Sequence, residues 1–236
     1  MDLLLSSGFL AFARHIGVLR AIEARQVPID GVFGTSSGAL VGALWAAGHS
    51  SEAIEAELHT IRPISLMGGH WAVHRGLFSM GPVIAHLRGL LPARVEALPR
   101  PLGLGVQEPS GRFAWRTAGP LPELVAASCA MPVVFAPVEV EGLALRDGGA
   151  ADRLGADPHR RLRGEGRRVL HRVRRSAGVD QPDDLRGDLL IESERSGATF
   201  WSLGDLGRQV AESRDRALAV FDALDGRGRP VASADR

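Results

Sequence analysis

Ile29-Asp30-Gly31-Val32-Phe33-Gly34-Thr35-Ser36-Ser37-Gly38-Ala39-Leu40 is the stretch on which the fold turns. Val32 and Phe33 read as the end of a buried strand and Gly38 to Gly48 as a helix, so residues 34–38 must turn sharply between them. A serine can be held on such a strained turn only if the residues two places away on each side have no Cβ to collide where strand meets helix. Gly34 and Gly38 meet that need, and Gly-x-Ser-x-Gly in this setting is the pattern of a nucleophile elbow with Ser36 at its tip. The helix that follows, Ala39 to Ala47, is apolar on every face, which suits a protein core, and it is too short to cross a bilayer. Its N-terminus points at Ser36 and places partial positive charge, with the Ser37 N–H, where an oxyanion would form.

Upstream, Leu3, Leu4 and Leu5 read as a first buried strand. From Ala13 the apolar residues Ile16, Leu19, Ile22 and Val27 fall at helical spacing until Pro28 stops the pattern, which completes a βαβ unit. Between strand and helix lies Ser6-Ser7-Gly8-Phe9-Leu10-Ala11-Phe12, at the carboxyl edge of the strand where open α/β sheets bind ligands. The backbone N–H groups of Gly8 and Phe9 are placed to face the oxygen of a tetrahedral intermediate beside Ser36. A plain tight turn explains the same residues equally well.

The 236 residues suffice for one sizeable core, read here as a single domain over 1–224, with the charged, Gly- and Pro-containing stretch 225–236 as a frayed tail. A net charge of +1 makes no case for nucleic acid. Cys129 is the sole cysteine, which excludes a disulfide framework. The eight histidines show neither a His-Glu-x-x-His pattern nor cysteine partners, so neither metal nor cofactor is expected. His15, just after the small-residue loop, is the one histidine placed to pack against or orient the site, although a plain core role is the simpler reading. The short apolar run at Leu3 lacks a basic lead, so the expected compartment is the cytoplasm.

In an α/β-hydrolase several strands precede the elbow, whereas here a single βα unit does. An elbow on the second strand, with a glycine-containing loop after the first, resembles the patatin-like phospholipase family. The resemblance implies a three-layer α/β domain with a mainly parallel central sheet and helices on both faces. It also implies a Ser–Asp dyad without histidine, the aspartate lying in a distant Asp-Gly-Gly or Asp-Gly-Ala turn. Asp147-Gly148-Gly149 follows a lead-in, Ala126 to Val140, that looks like the family's small-residue helix, proline turn and strand. On that likeness Asp147 is the candidate base, packed over Gly148 and Gly149; taken alone, the tripeptide is more often a hairpin turn. The family's glycine run is reduced to Gly8 in Ser6-Ser7-Gly8. The implied partner is a lipid or other acyl ester, with transient contact to a membrane surface. A catalytically impaired lipid-binding or regulatory protein, and an acyltransferase or thioesterase using the same dyad, are the competing functions.

Elsewhere the signals are coarser. A helix is expected from Ser50 to Ile61 and another from Pro82 to Leu91, with paired strands at 102–107 and 112–117. Met67, Gly68, Gly69, Trp71, Leu77, Phe78 and Met80 suit either a movable wall over an acyl pocket or ordinary core. Of the arginine-rich run 160–175, two readings stand: an anionic-lipid or phosphate-facing patch, or the solvated flanks of a strand at 169–173, the second being preferred. Residues 189–191 read as a last strand, and Leu206, Val210, Ala217, Phe221 and Leu224 mark a terminal helix expected on the sheet.

Overall fold

A strand covered on both faces needs apolar side chains at successive positions, and Leu3, Leu4 and Leu5 are all fully buried. They lie in β1 (Asp2–Leu5), the strand from which the sheet grows in both directions. The computed structural model describes residues 1–60, 68–69 and 77–227. After β1 come α1 (Phe12–Arg25), β2 (Gly31–Thr35), α2 (Ser37–Ala46) and α3 (Ser51–Thr60). A two-residue ribbon, β3 (Gly68–Gly69) with β4 (Phe78–Ser79), precedes α4 (Gly81–Leu87). The second half runs β5 (Leu102–Gln107), β6 (Phe113–Arg116), α5 (Leu121–Cys129), β7 (Val138–Val140), β8 (Leu143–Asp147), α6 (Ala156–Arg163), β9 (Arg168–Val173), β10 (Leu189–Ser193) and α7 (Leu206–Arg227).

The main sheet has the order β10-β9-β1-β2-β5-β8-β7, with β6 on β5. The strands β10, β9, β1, β2 and β5 are parallel, and β6, β7 and β8 run antiparallel to their neighbours. The mainly parallel sheet expected from the sequence is therefore present, extended by an antiparallel margin. Because β1 connects forward to β2 on one side while the later β9 lies on its other side, the strand order switches at β1. Its carboxyl end, where Leu5 is level with Gly34 and His171, is where such sheets open a crevice.

Side chains alternate across the sheet. Leu3 and Leu5 join the large core under α1, α2 and α5, whereas Leu4 joins Phe33 and Leu170 on the other face. That second face is closed by Leu154 and by Ala156 at the start of α6, so the helical cover is uneven. His159 and Arg163 of α6 both reach the Asp2 carboxylate at 3.0 Å, fastening the helix to β1.

The terminal helix packs on the sheet at β10, as expected, and lies chiefly along α1. The two helices approach so closely that a Cβ on Gly17 would stand 2.3 Å from the Val210 carbonyl oxygen. It also runs to Arg227, through the start of the stretch read as a tail; 228–236 lie outside the described residues. The helix expected to reach Leu91 stops at Leu87, where tighter turns from Gly89 to His86 and from Leu90 to Leu87 take over. Two residues of the supposed wall, Met67 and Trp71, lie outside the described residues.

Candidate active site

Ser36 sits between β2 and α2 with φ +55° and ψ −118°, a conformation side chains adopt only under constraint. The constraint is visible in its glycines. A Cβ on Gly34 would lie 2.3 Å from the Gly38 carbonyl oxygen, and one on Gly38 would lie 2.3 Å from that of Leu5. The Ser36 N–H donates to the Ser128 hydroxyl at 2.9 Å, and that hydroxyl donates to the Gly105 carbonyl at 2.6 Å. The Ser36 carbonyl accepts from Leu40 N at 3.1 Å as α2 begins, and from the Cys129 thiol at 3.2 Å. Burial and the nearby Asp147 charge push the Cys129 thiol far above its usual range, so it is a donor here and not a competing thiolate.

Asp147 ends β8 and is almost wholly buried. Its N–H donates to the Ala130 carbonyl at 3.0 Å, and its Oδ1 accepts from Gly149 N at 2.8 Å. The Asp-Gly-Gly sequence is thus a strand end entering a single 3₁₀ turn, Gly148–Ala150, and not a hairpin. A Cβ on Gly148 would stand 2.5 Å from the Gly105 carbonyl oxygen, so the turn is pressed onto β5. Burial raises the Asp147 pKa to about 6; the Ser36 hydroxyl, the Gly149 N–H and the Arg153 charge pull in the other direction. Ser36 and Asp147 line the same cavity, and no hydrogen bond of ordinary geometry joins their side chains.

The loop after β1 is held from outside. Ser6 N donates to the His171 carbonyl at 3.0 Å and Ser7 N to that of Arg153 at 2.7 Å, so neither serine N–H is free for a ligand. The buried Arg153 guanidinium returns a bond to the Ser7 carbonyl at 2.7 Å, binds the Val173 carbonyl, and pairs with Asp180 at 2.7 Å. No acceptor among the described residues takes the N–H of Gly8 or Phe9. Gly149 rests on this loop: a Cβ there would be 2.5 Å from the Ser7 hydroxyl.

Ser36, Ser37, Phe9, Asp147 and Gly149 all line one cavity of about 470 Å³. Gly8, Gly34, Gly38 and Gly148 do not line it; each packs closely against a neighbouring group. The remaining wall is overwhelmingly apolar, with Leu10, Leu40, Leu44, Met80, Phe135 and Leu203 prominent. Met80 is thus one wall residue that the sequence suggested.

His15 proves fully buried and joined to the elbow. Its Nε2 lies 3.2 Å from the Ser37 hydroxyl and its Nδ1 2.8 Å from Nδ1 of His171, whose Nε2 lies 2.9 Å from the Ser193 hydroxyl; that hydroxyl is 2.9 Å from Ser213. Burial holds His15 down at about 3, and burial together with the neighbouring ring holds His171 well below the usual imidazole range. The pair is neutral near pH 7, one Nδ1 carrying the shared proton. Sequence reasoning noticed His15 but missed its partners, together with Arg153 and the role of Ser128. Among the described residues no group of three or more His, Cys, Asp or Glu could hold a metal ion. None of the described helices is long and apolar enough to cross a membrane.

A family model described as patatin-like phospholipase matches residues 3–158, the span that holds β1, the elbow and Asp147. This chain belongs to the patatin-like phospholipase family. Among curated relatives of this patatin-like chain is an uncharacterized NTE family protein of Mycobacterium tuberculosis, 35% identical over 159 residues. The match covers 66% of this chain and 44% of that protein, so the patatin-like chain spans under half of the relative's length. Lysophospholipase NTE1 of Mycosarcoma maydis is 29% identical over 165 residues, 65% of this chain and 9% of the larger protein. Among solved structures, VipD from Legionella pneumophila shares the fold with a TM-score of 0.65 at 13% identity, covering 94% of this chain and 66% of that one.

Proposed function

We propose that this patatin-like chain is a serine acyl-ester hydrolase acting on lipid esters through Ser36 and Asp147. The observation that carries this is the meeting, on the wall of one apolar cavity, of a strained serine and a buried carboxylate more than a hundred positions away in sequence. An ordinary aspartate is a poor base, near pKa 3.9, whereas one near 6 accepts a proton more readily at neutral pH.

In the first half-reaction the Ser36 oxygen attacks the carbonyl carbon while Asp147 takes its proton. The oxyanion forms against the N–H groups of Gly8, Phe9 and Ser37, at the N-terminus of α2. As the tetrahedral intermediate collapses, Asp147 returns the proton to the departing alcohol and an acyl-enzyme remains. Asp147 then deprotonates a water molecule that attacks the acyl carbonyl, releasing the carboxylic acid and restoring Ser36. Gly8 and Phe9 N–H groups left without acceptors favour a working oxyanion hole over an impaired one, despite the glycine-poor loop. The apolar wall fits an acyl chain.

Hydrolysis of p-nitrophenyl acyl esters tests the scheme. Ser36→Ala and Asp147→Asn proteins are expected to lose turnover by about 10³-fold or more, and equal rates in variant and parent would end it. Stoichiometric labelling of Ser36 by a fluorophosphonate separates a catalyst from a lipid carrier. Added alcohol or thiol acceptors separate hydrolysis from acyl transfer.

A further inference from the structure

The segments that leave the carboxyl ends of β9 and β10 each serve two cavities. Ala177 and Gly178 line the ester cavity, while Arg174, Arg175 and Asp180 of the same segment line a second one of about 400 Å³. Likewise Phe200 and Leu203 face the first and Glu194 the second. The two cavities are therefore neighbours at one edge of the sheet, divided by shared walls.

The second cavity is walled by charge. Five guanidinium groups, those of Arg153, Arg172, Arg174, Arg175 and Arg216, face three carboxylates, Asp180, Glu192 and Glu194. Three of the arginines hold a carboxylate closely: Arg172 with Glu192 at 2.7 Å, Arg174 with Glu194 at 3.2 Å and Arg153 with Asp180 at 2.7 Å. Arg175 reaches only the already engaged Asp180, at 3.9 Å, and Arg216 reaches the Glu192 backbone carbonyl at 3.5 Å. Two positive charges thus stand in excess over one concave space. Their field extends inward: after burial itself and against the pull of Asp180, the charges of Arg175 and Arg172 help to lower the Arg153 pKa.

Beside the ester cavity, two large apolar side chains point to solvent. Trp201 is 74% exposed next to the wall residue Phe200, and Val133 is 79% exposed between the wall residues Pro132 and Val134. Val133 is held at φ +72°, a costly conformation for a β-branched residue. Exposed apolar groups next to residues of the first cavity, together with surplus arginines at the second, fit a surface that is itself anionic outside and apolar within.

We propose that Arg175 and Arg216 take the phosphate of an anionic lipid head group in this second cavity and, with Trp201 and Val133, seat the mouth of the ester cavity on an anionic membrane. The expected strand through Val169, Leu170 and Val173 is present, and Arg174 and Arg175 on its exposed flank also line this cavity. The binding stands apart from the ester chemistry, and only its link to substrate rests on that reading.

The test is co-sedimentation of the full chain with phosphatidylcholine vesicles, with and without phosphatidic acid, in low and high salt. The parent is expected to bind the anionic vesicles and release them in high salt. The Arg175→Ala/Arg216→Ala protein is expected to bind them about tenfold or more weakly, and Trp201→Ala weakly as well, while all three hydrolyse a soluble p-nitrophenyl ester alike. Equal binding to neutral and anionic vesicles, or undiminished binding by the double variant, overturns the proposal. Protection of the parent against thermal unfolding by inorganic phosphate, without vesicle binding, would make the ligand a free phosphate and overturn the membrane claim. A failed ester assay with intact vesicle binding would sink the hydrolase reading alone.

Discussion

Ser128 bridges Ser36 to the sheet: its hydroxyl accepts from the Ser36 N–H and donates to the Gly105 carbonyl, tying the elbow of one strand to the backbone of its neighbour. Ser128→Ala leaves a donor and an acceptor unpaired in the interior. The expected loss is about 1–3 kcal/mol of stability, read by urea denaturation, with turnover falling about tenfold at unchanged KM. Full turnover in this variant would show that the elbow keeps its shape unaided.

Asp147 links activity to stability. Its folded pKa lies above the ordinary carboxylate value, so between about pH 4 and 6 the folded protein binds more protons than the unfolded chain. Stability from this group is intact below that window and is lost as pH rises through it, by about 3 kcal/mol. Turnover should do the opposite, rising through pH 6 as the base ionises. Asp147→Asn is expected to be inactive yet more stable than the parent at pH 7, with the difference vanishing near pH 4. Denaturation curves of both proteins at the two pH values decide this.

The backbone at Ser36 makes a second comparison informative. Ser36→Ala keeps a side chain at φ +55°, whereas Ser36→Gly releases the strain. Both proteins should be inactive, but the glycine variant should be the more stable by about 1 kcal/mol, after allowing for its greater unfolded-chain entropy. A glycine variant that melts below the alanine one would mean that the turn is relaxed.

Arg153 is buried and holds two carbonyls and a carboxylate. Arg153→Met removes all three bonds and leaves Asp180 without its close partner, at an expected cost of about 3–5 kcal/mol. A milder signature is the useful one: turnover should fall with little change in KM, because the Gly8 and Phe9 donors lose their fixed positions. Comparable losses in KM alone would place Arg153 in substrate binding instead.

Much of this was legible in the chain. The strand-loop-helix-strand unit and the elbow could be read because their requirements are local: Gly34 and Gly38 must lack Cβ atoms whatever surrounds them. Asp147 was picked out only through likeness to a family, since nothing within a few residues says that β8 ends at the cavity that Ser36 lines. Arg153, His171 and Ser193 were not legible, because their partners depend on β9 lying beside β1, a crossover that periodicity does not encode. The helix expected through Leu91 ends early because Gly89 is a poor helix residue and Pro92 bars any continuation. The strand inside the arginine run was legible from Val169, Leu170 and Val173, but a charge count along the chain does not show which charges find partners across it.

When a loop is clamped by a distant guanidinium and by a neighbouring strand, its shape no longer depends on its own backbone being free to bend. Here the scarcity of glycine after β1 does not leave that loop unsupported, because an arginine four residues past the Asp-Gly-Gly turn holds it by its carbonyl.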